Sequence, residues 1–158
     1  MATITARGTL TINAAFLEEI KEVHEELWEE LQILRRRHAQ RDRRQCRDLV
    51  ESTCKLRDLL ALHFSLEEAL GYFSEPVSVA PHLSDRAHEL RDEHQDLYVR
   101  CCQMAELGEE LWERGRRNTL MSRMSAAFAE FDARLQAHEE GERELISSAY
   151  NQDIGVGD

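Results

Sequence analysis

The sequence contains few of the residues that characterise several common protein classes. It has two prolines and seven glycines in 158 residues, which excludes collagen-like and low-complexity chains. No apolar run is longer than four residues, so we expect no membrane-spanning helix. The sequence has 20 Lys and Arg but 31 Asp and Glu, which gives a formal charge of -11. We therefore expect no nucleic-acid partner, since phosphate binding needs a basic surface.

The four cysteines do not have the spacing of a disulfide scaffold or of a thiolate metal site. The sequence has no Cys-x-x-Cys pair, and the adjacent Cys101 and Cys102 point to different faces of a helix. Cys46 and Cys54 are eight residues apart and share a helical face, which is typical of packing residues. We therefore expect reduced thiols. The sequence does not open on a charged segment followed by an apolar one, and we expect a cytoplasmic protein.

Apolar residues recur in alternating steps of three and four along four segments, which predicts four amphipathic helices. The segments with this pattern span residues 17–34, 56–73, 83–111 and 121–149. Short polar, proline-containing or glycine-containing breaks separate them at 41–44, 74–81 and 115–119. Because short connections make neighbouring helices antiparallel, the sequence predicts an all-α fold, an up-down-up-down antiparallel four-helix bundle.

The two ends of the chain lie outside this predicted bundle. Residues 1–12 alternate Thr with Ile or Leu and predict an extended N-terminal arm. Residues 13–150 form the predicted bundle. Residues 151–158 are few and glycine-rich, so we expect a flexible C-terminal tail.

Each of the four apolar stripes contains one histidine at a position that otherwise holds an apolar residue. These residues are His24, His63, His94 and His138. In an up-down bundle that rises about 1.5 Å per residue, all four lie roughly 15–17 Å from the same end. Glu67 and Glu142 each follow a histidine by four residues and lie one turn nearer that end. The pattern predicts six polar side chains at one level of the core.

An ionisable side chain buried without a partner costs on the order of several kcal/mol, so such residues do not accumulate in a core without cause. A fully hydrogen-bonded polar layer is one explanation. A metal centre is the other, because it satisfies all six side chains at once. Imidazole and carboxylate without thiolate suit iron, manganese or zinc, and bridging carboxylates favour iron or manganese. Six ligands exceed the four of a structural zinc site and suit two ions.

Ferritin-like diiron proteins have glutamate three residues before the ligand histidine, and no histidine of this sequence has glutamate there. The pattern instead resembles the hemerythrin and hemerythrin-like (HHE cation-binding) family across nearly the whole chain. The residues that match in order are His24, the run HFSLEE at 63–68 with His63 and Glu67, His94, and His138 with Glu142. The resemblance implies a non-haem diiron centre with bridging Glu67 and Glu142 and with room for an oxo bridge. It also implies that His24 and His63 serve one iron, and His94 and His138 the other.

The sequence departs from the oxygen-carrying hemerythrins in two places. Leu90 and Tyr98 flank His94 where those proteins have a second histidine, and Glu142 follows His138 by four residues where they have aspartate at five. The pattern is similar to the branch with four histidines and two glutamates, which includes bacterial proteins linked to repair of iron centres and to nitrosative stress. In this branch each iron retains an open position.

The resemblance leaves three classes of function open. The leading one is reversible binding or sensing of a small ligand, dioxygen or nitric oxide. The second is a diiron redox enzyme that reduces peroxide, oxidises a substrate or repairs iron centres. Iron storage or sensing is the third, because metal binding is coupled to folding.

Several further residues lie near the predicted centre or are excluded from it. Tyr98 lies one turn from His94, where it either ligates iron, hydrogen-bonds a bound ligand or packs at the core edge. Trp28 lies one turn from His24 and either walls the ligand pocket or packs. We expect the remaining histidines to take no part, and these are His38, His82 and His88.

Overall fold

Helices make up nearly all of the described chain. The computed structural model of the protein describes residues 22–39, 46–69, 71, 73–114 and 118–153. Residues 22–39 are helical throughout and are called α1. They are followed by α2 (Cys46–Ala69), the short α3 (Ser74–Val79), α4 (Ser84–Arg114) and α5 (Asn118–Asp153), with a 3-10 turn, Pro81–Leu83, before α4. No strand occurs within these ranges, so the predicted all-α fold is confirmed for them.

Several predicted features lie outside the described residues. They are the N-terminal arm at 1–12, the start of the predicted bundle at 13–21, the polar corner at 41–44, the break at 115–117 and the end of the tail at 154–158. Helix α5 continues to Asp153, which is beyond the predicted end of the bundle at residue 150.

One apolar core is shared by the four long helices. Its buried members come from α1, α2, α4 and α5, and they include Leu27, Leu31, Leu34, Leu56, Leu60, Leu97, Met104, Phe131 and Leu135. Burial of one such side chain contributes roughly 1.5–3 kcal/mol. The four helices therefore pack against one another as a helical bundle. Within the described ranges, no helix combines the length and the apolar character needed to cross a membrane.

The buried face of α2 differs by one position from the predicted stripe. The steps of three and four within residues 56–73 predict that Leu59 and Leu66 face the core, but both are only partly buried. Leu60 and Glu67, each one residue further along, are fully buried instead. With 3.6 residues per turn, either of two adjacent residues can face a neighbouring helix. Phe64 is buried beside His63, and its ring stacks on His94 of α4.

The chain turns at Gly71, between α2 and α3. Gly71 has a φ of 80°, a conformation that residues with a side chain rarely adopt. The second predicted helix extended to Phe73, but α2 ends at Ala69. Beyond the turn, the ring of Phe73 packs against that of His94 with the centroids 5.2 Å apart. The predicted break at 74–81 contains α3 and leads the chain into α4.

Helices α4 and α5 approach each other closely at Gly141. A Cβ atom at this position would lie 2.6 Å from Nη2 of Arg86 and 2.8 Å from Cδ2 of Leu90. Both distances are shorter than van der Waals contact, so the lack of a side chain at Gly141 allows the approach. The rings of His94 on α4 and His138 on α5 consequently lie with their centroids 4.9 Å apart.

Candidate metal centre

All four long helices contribute histidine or glutamate to one buried cluster. The cluster consists of two groups, and within each group the ligand atoms lie within 4.8 Å of one another. The first group contains Glu67, His94, His138 and Glu142. The second group contains His24, His63 and Glu139. The structure thus brings together all six residues that the sequence singled out, and it adds Glu139.

Glu67 lies between the two groups. It is one turn beyond His63 on α2, and its Oε1 is 2.9 Å from Nε2 of His63. Its other oxygen, Oε2, is 3.4 Å from Nε2 of His94. The two oxygens of one carboxylate therefore face histidines of different groups, which is the arrangement that a bridging ligand needs.

Glu142 lies within the first group. Its Oε1 is 3.0 Å from Nε2 of His138, one turn earlier on α5, and 3.4 Å from Nε2 of His94 on α4. Its other oxygen, Oε2, is buried without a hydrogen-bond partner. Glu67 and Glu142 thus both approach His94, from α2 and α5 respectively.

Two further glutamates contact the outer nitrogens of these histidines. Oε1 of Glu68 is 2.9 Å from Nδ1 of His94, and Oε2 of Glu93 is 2.8 Å from Nδ1 of His138. A carboxylate at Nδ1 places the proton on that atom and leaves Nε2 free to bind a metal ion. Neither Glu68 nor Glu93 is among the predicted ligands, although each is adjacent in sequence to one.

The charges within the cluster are set by competition between burial and neighbouring carboxylates. Burial lowers the pKa of His63, but Glu139 and Glu67 outweigh this effect and raise the pKa to about 10. Burial also lowers the pKa of His94, and surrounding glutamates, foremost Glu142, raise it to about 9. Burial instead lowers the pKa of His24. Without a metal ion, protons on His63 and His94 therefore compensate the buried carboxylates.

Protein groups do not satisfy all of the buried polar atoms. Nδ1 of His63, Nε2 of His138 and Oε2 of Glu67 and of Glu142 make no hydrogen bond. Nε2 of His138 is close to Glu142, and Oε2 of Glu67 is close to His94, but the angles do not suit hydrogen bonds. A buried polar atom without a hydrogen bond lowers the stability of the folded protein. Inward-facing imidazole nitrogens and carboxylate oxygens fit a metal ion, so the first group can hold one.

Aromatic rings surround the cluster and separate it from water. The ring of Phe64 stacks on His94 at a centroid distance of 3.9 Å and meets His138 edge-on at 5.6 Å. The side chains of His63, His94 and His138 are at most 4% exposed, whereas that of His24 is 34% exposed. The cluster is therefore most accessible at His24.

The two aromatic residues singled out near the cluster lie in different surroundings. The ring of Trp28 meets that of His24 edge-on at a centroid distance of 5.8 Å, and the guanidinium of Arg35 lies over the Trp28 ring, 5.6 Å from its centroid. Tyr98 is 38% exposed and interacts with Cys102. This placement gives no support to the alternative in which Tyr98 ligates iron.

The remaining histidines lie apart from both groups. His38 stacks on Phe128 at 4.4 Å, and its Nδ1 is 3.2 Å from Oγ of Ser125. Burial lowers the pKa of His38 to about 4. His82 and His88 are exposed. These positions agree with the expectation that none of the three is a ligand.

Comparisons with known proteins identify no relative of this chain. No protein-family model matches it, and no curated protein or solved structure does so either.

Proposed function

We propose that the protein is a hemerythrin-like four-helix bundle that holds two non-haem iron ions and binds dioxygen or nitric oxide. One observation carries the proposal: two groups, each with two histidines, adjoin in the core and Glu67 lies between them. Two groups with a shared carboxylate suit a pair of ions better than a single ion, which takes at most six ligands and fewer in zinc sites.

The donor atoms favour iron over the other candidates. Neither group contains a cysteine, so the ligands are imidazole nitrogens and carboxylate oxygens. Such donors suit iron, manganese and zinc, and a shared carboxylate between two ions is typical of iron and manganese. Zinc is the alternative that a competition measurement tests.

Contacts between helices support the up-down-up-down order. Between α1 and α2, Glu30 pairs with Lys55 and Arg37 with Asp48, so residue numbers fall along one helix as they rise along the other. The same inverse order relates α4 to α5, where Glu93 contacts His138 and Arg100 contacts Glu130. Antiparallel neighbours of this kind are expected where connections are short.

The surroundings of the centre favour a small ligand. Iron, when bound, supplies reversible coordination of dioxygen or nitric oxide. Glu68 and Glu93 orient the imidazoles of His94 and His138, and the rings of Phe64 and Phe73 exclude water. Among the histidines of the cluster, only His24 is substantially exposed, so ligands of a few atoms have the best access.

The test begins with metal content. Protein reconstituted with ferrous iron without oxygen is expected to hold two iron ions per chain and to keep them in competition with zinc. One ion or none per chain would refute the diiron centre, and stoichiometric exchange for zinc would refute the identity of the metal.

The second part of the test separates ligand binding from redox chemistry. The diferrous protein is exposed to dioxygen, and its visible spectrum is followed over time. A spectrum that appears with dioxygen and reverses when it is removed supports reversible binding. Rapid, irreversible oxidation would contradict this function and would favour the redox enzyme that reduces peroxide or oxidises a substrate.

A further inference from the structure

We infer that Glu139 is a ligand of the ion held by His24 and His63, an inference that rests on the proposed metal centre. Glu139 is 5% exposed and follows His138 on α5. Its Oε1 is 3.3 Å from Nε2 of His63, and its Oε2 is 3.8 Å from Nδ1 of His24. The carboxylate thus lies between the histidines that α1 and α2 contribute.

At His63, the imidazole nitrogen that Glu139 faces is the one expected of a metal ligand and not of an orienting residue. Glu68 and Glu93 contact Nδ1 of their histidines, on the side away from the other ligand atoms. Glu139 contacts Nε2 of His63, the same nitrogen that Glu67 faces. A carboxylate at Nε2 does not orient the ring through Nδ1 as Glu68 and Glu93 do. It faces the ion that Nε2 would bind.

The position of Glu139 on α5 explains how one helix serves both ions. Consecutive helical residues differ by about 100° in direction, so His138 and Glu139 face different neighbours. Glu142, four residues after His138, faces the same way as His138 and joins the first group. Each ion then has two histidines and one glutamate of its own, and Glu67 is shared between them.

Charge compensation favours this assignment. Two divalent ions carry four positive charges, and Glu67 and Glu142 neutralise two of them. Glu139 neutralises a third, which reduces the cost of uncompensated charge in a buried site. The ion pairs of Glu139 in the described part of the chain are with His24 and His63, and they involve no lysine or arginine. An ion held by His24 and His63 would therefore be a charged partner for this carboxylate.

The test compares metal binding by Glu139→Gln with binding by Glu140→Gln. Gln keeps the size of the side chain but lacks the charge, and Glu140 is an exposed neighbour whose carboxylate pairs with Arg143. Ferrous iron is titrated without oxygen against a chromophoric chelator. Glu139→Gln is expected to lower the affinity for one of the two ions at least about 10-fold. Replacing a residue that only orients a ligand already lowers metal affinity by this factor. Glu140→Gln should retain both ions with wild-type affinity.

Double variants show which ion is affected. Glu139→Gln combined with His24→Ala should keep the ion at His94 and His138 with wild-type affinity, because both changes act on the other ion. Glu139→Gln combined with His138→Ala should lower the affinity for both ions. Circular dichroism of the metal-free proteins shows that they fold, and Glu139→Ala provides a second substitution at the same position.

The outcomes distinguish this inference from the proposed function. Two ions of wild-type affinity in Glu139→Gln and Glu139→Ala would overturn the role of Glu139 and leave the diiron centre intact. Loss of the ion at His94 and His138, with the other retained, would overturn it as well. Fewer than two ions in the wild-type protein would overturn both proposals.

Discussion

Individual histidines of the centre differ in how they are held. His94 and His138 each have a glutamate at Nδ1 and core carboxylates near Nε2. Nδ1 of His63 is buried without a hydrogen-bond partner. The rings on α4 and α5 are therefore oriented from both sides, whereas that of His63 is oriented from its Nε2 side and by packing.

Glu93→Gln tests whether these outer carboxylates contribute to metal binding. The glutamine keeps a hydrogen-bond acceptor but loses the charge that makes the imidazole of His138 a stronger ligand. We expect iron affinity to fall roughly 10–100-fold while the number of ions stays at two. Glu89→Gln, on an exposed position one turn earlier on α4, is the control. Equal affinities of the two variants would show that Glu93 has no such role.

The raised pKa values of His63 and His94 predict how the metal-free protein responds to pH. These values are about 10 and about 9, against 6.5 for an ordinary histidine. The native state therefore binds protons more tightly than the unfolded state does, and this stabilisation is complete below pH 6.5. It is lost as the pH rises through 9 to 10, at up to about 1.4 kcal/mol per pH unit for each histidine.

Urea denaturation of the metal-free protein between pH 6 and pH 10 measures this effect. The free energy of unfolding is expected to fall as the pH rises. Ferrous iron added at pH 7 in weakly buffered solution should also release protons, because the histidines must be neutral to bind metal. A free energy that stays constant or rises with pH would mean that the buried histidines are neutral in the metal-free state.

At the scale of the helices, the centre depends on how closely α4 and α5 approach. Leu90, which a Cβ atom at Gly141 would meet at 2.8 Å, is fully buried, so its displacement would disturb packed neighbours. Arg86, at 2.6 Å, is a partly exposed side chain that can turn away. The contact with Leu90 therefore decides the effect of a substitution at Gly141.

We expect Gly141→Ala to destabilise the protein and to weaken metal binding. Overpacking costs typically 1–3 kcal/mol, and the gain in helix propensity is only about 1 kcal/mol, so the net loss is up to about 2 kcal/mol. Gly108→Ala is the matched control on α4, because its Cβ would lie no closer than 3.2 Å, to Cγ2 of Val50. Thermal unfolding and iron content are measured for both, and a Gly141→Ala protein as stable as Gly108→Ala would contradict the packing argument.

At the scale of the whole molecule, two clusters of different chemistry hold the helices together. The His and Glu centre joins all four long helices. Further along the bundle, α1 and α5 are joined by His38 on Phe128 and by two contacts between Arg35 and Asp132 at 2.6 and 2.7 Å. Substitutions at the second cluster should therefore change the stability of the protein without changing its metal binding.

Three histidine variants make this separation. His63→Ala should lower both iron content and melting temperature, because it removes a ligand and leaves buried carboxylates unpaired at a cost of about 3–5 kcal/mol. His38→Ala should lower the melting temperature alone, by loss of a packed ring and a hydrogen bond. His82→Ala, at an exposed position, should change neither quantity. Iron analysis and thermal denaturation check all three, and reduced iron content in His38→Ala would contradict the proposed limits of the centre.

The sequence by itself determined the helical character of the described chain and the presence of polar residues on its apolar stripes. Both follow from local periodicity, since steps of three and four residues bury one face of a helix. His63, Glu67, His138 and Glu142 were identifiable because histidine and glutamate four residues apart share a face.

Only the tertiary structure decided which neighbouring residues complete the centre. Glu139 is adjacent to His138 in sequence, yet its partners are His24 and His63 on other helices. On α2, Leu60 is fully buried and Leu59 is not. Either of these adjacent residues could face the neighbouring helix, and the packing of the helices selects Leu60. The face that a helix buries against its neighbours depends on packing between helices. Local periodicity specifies that face only to within one residue.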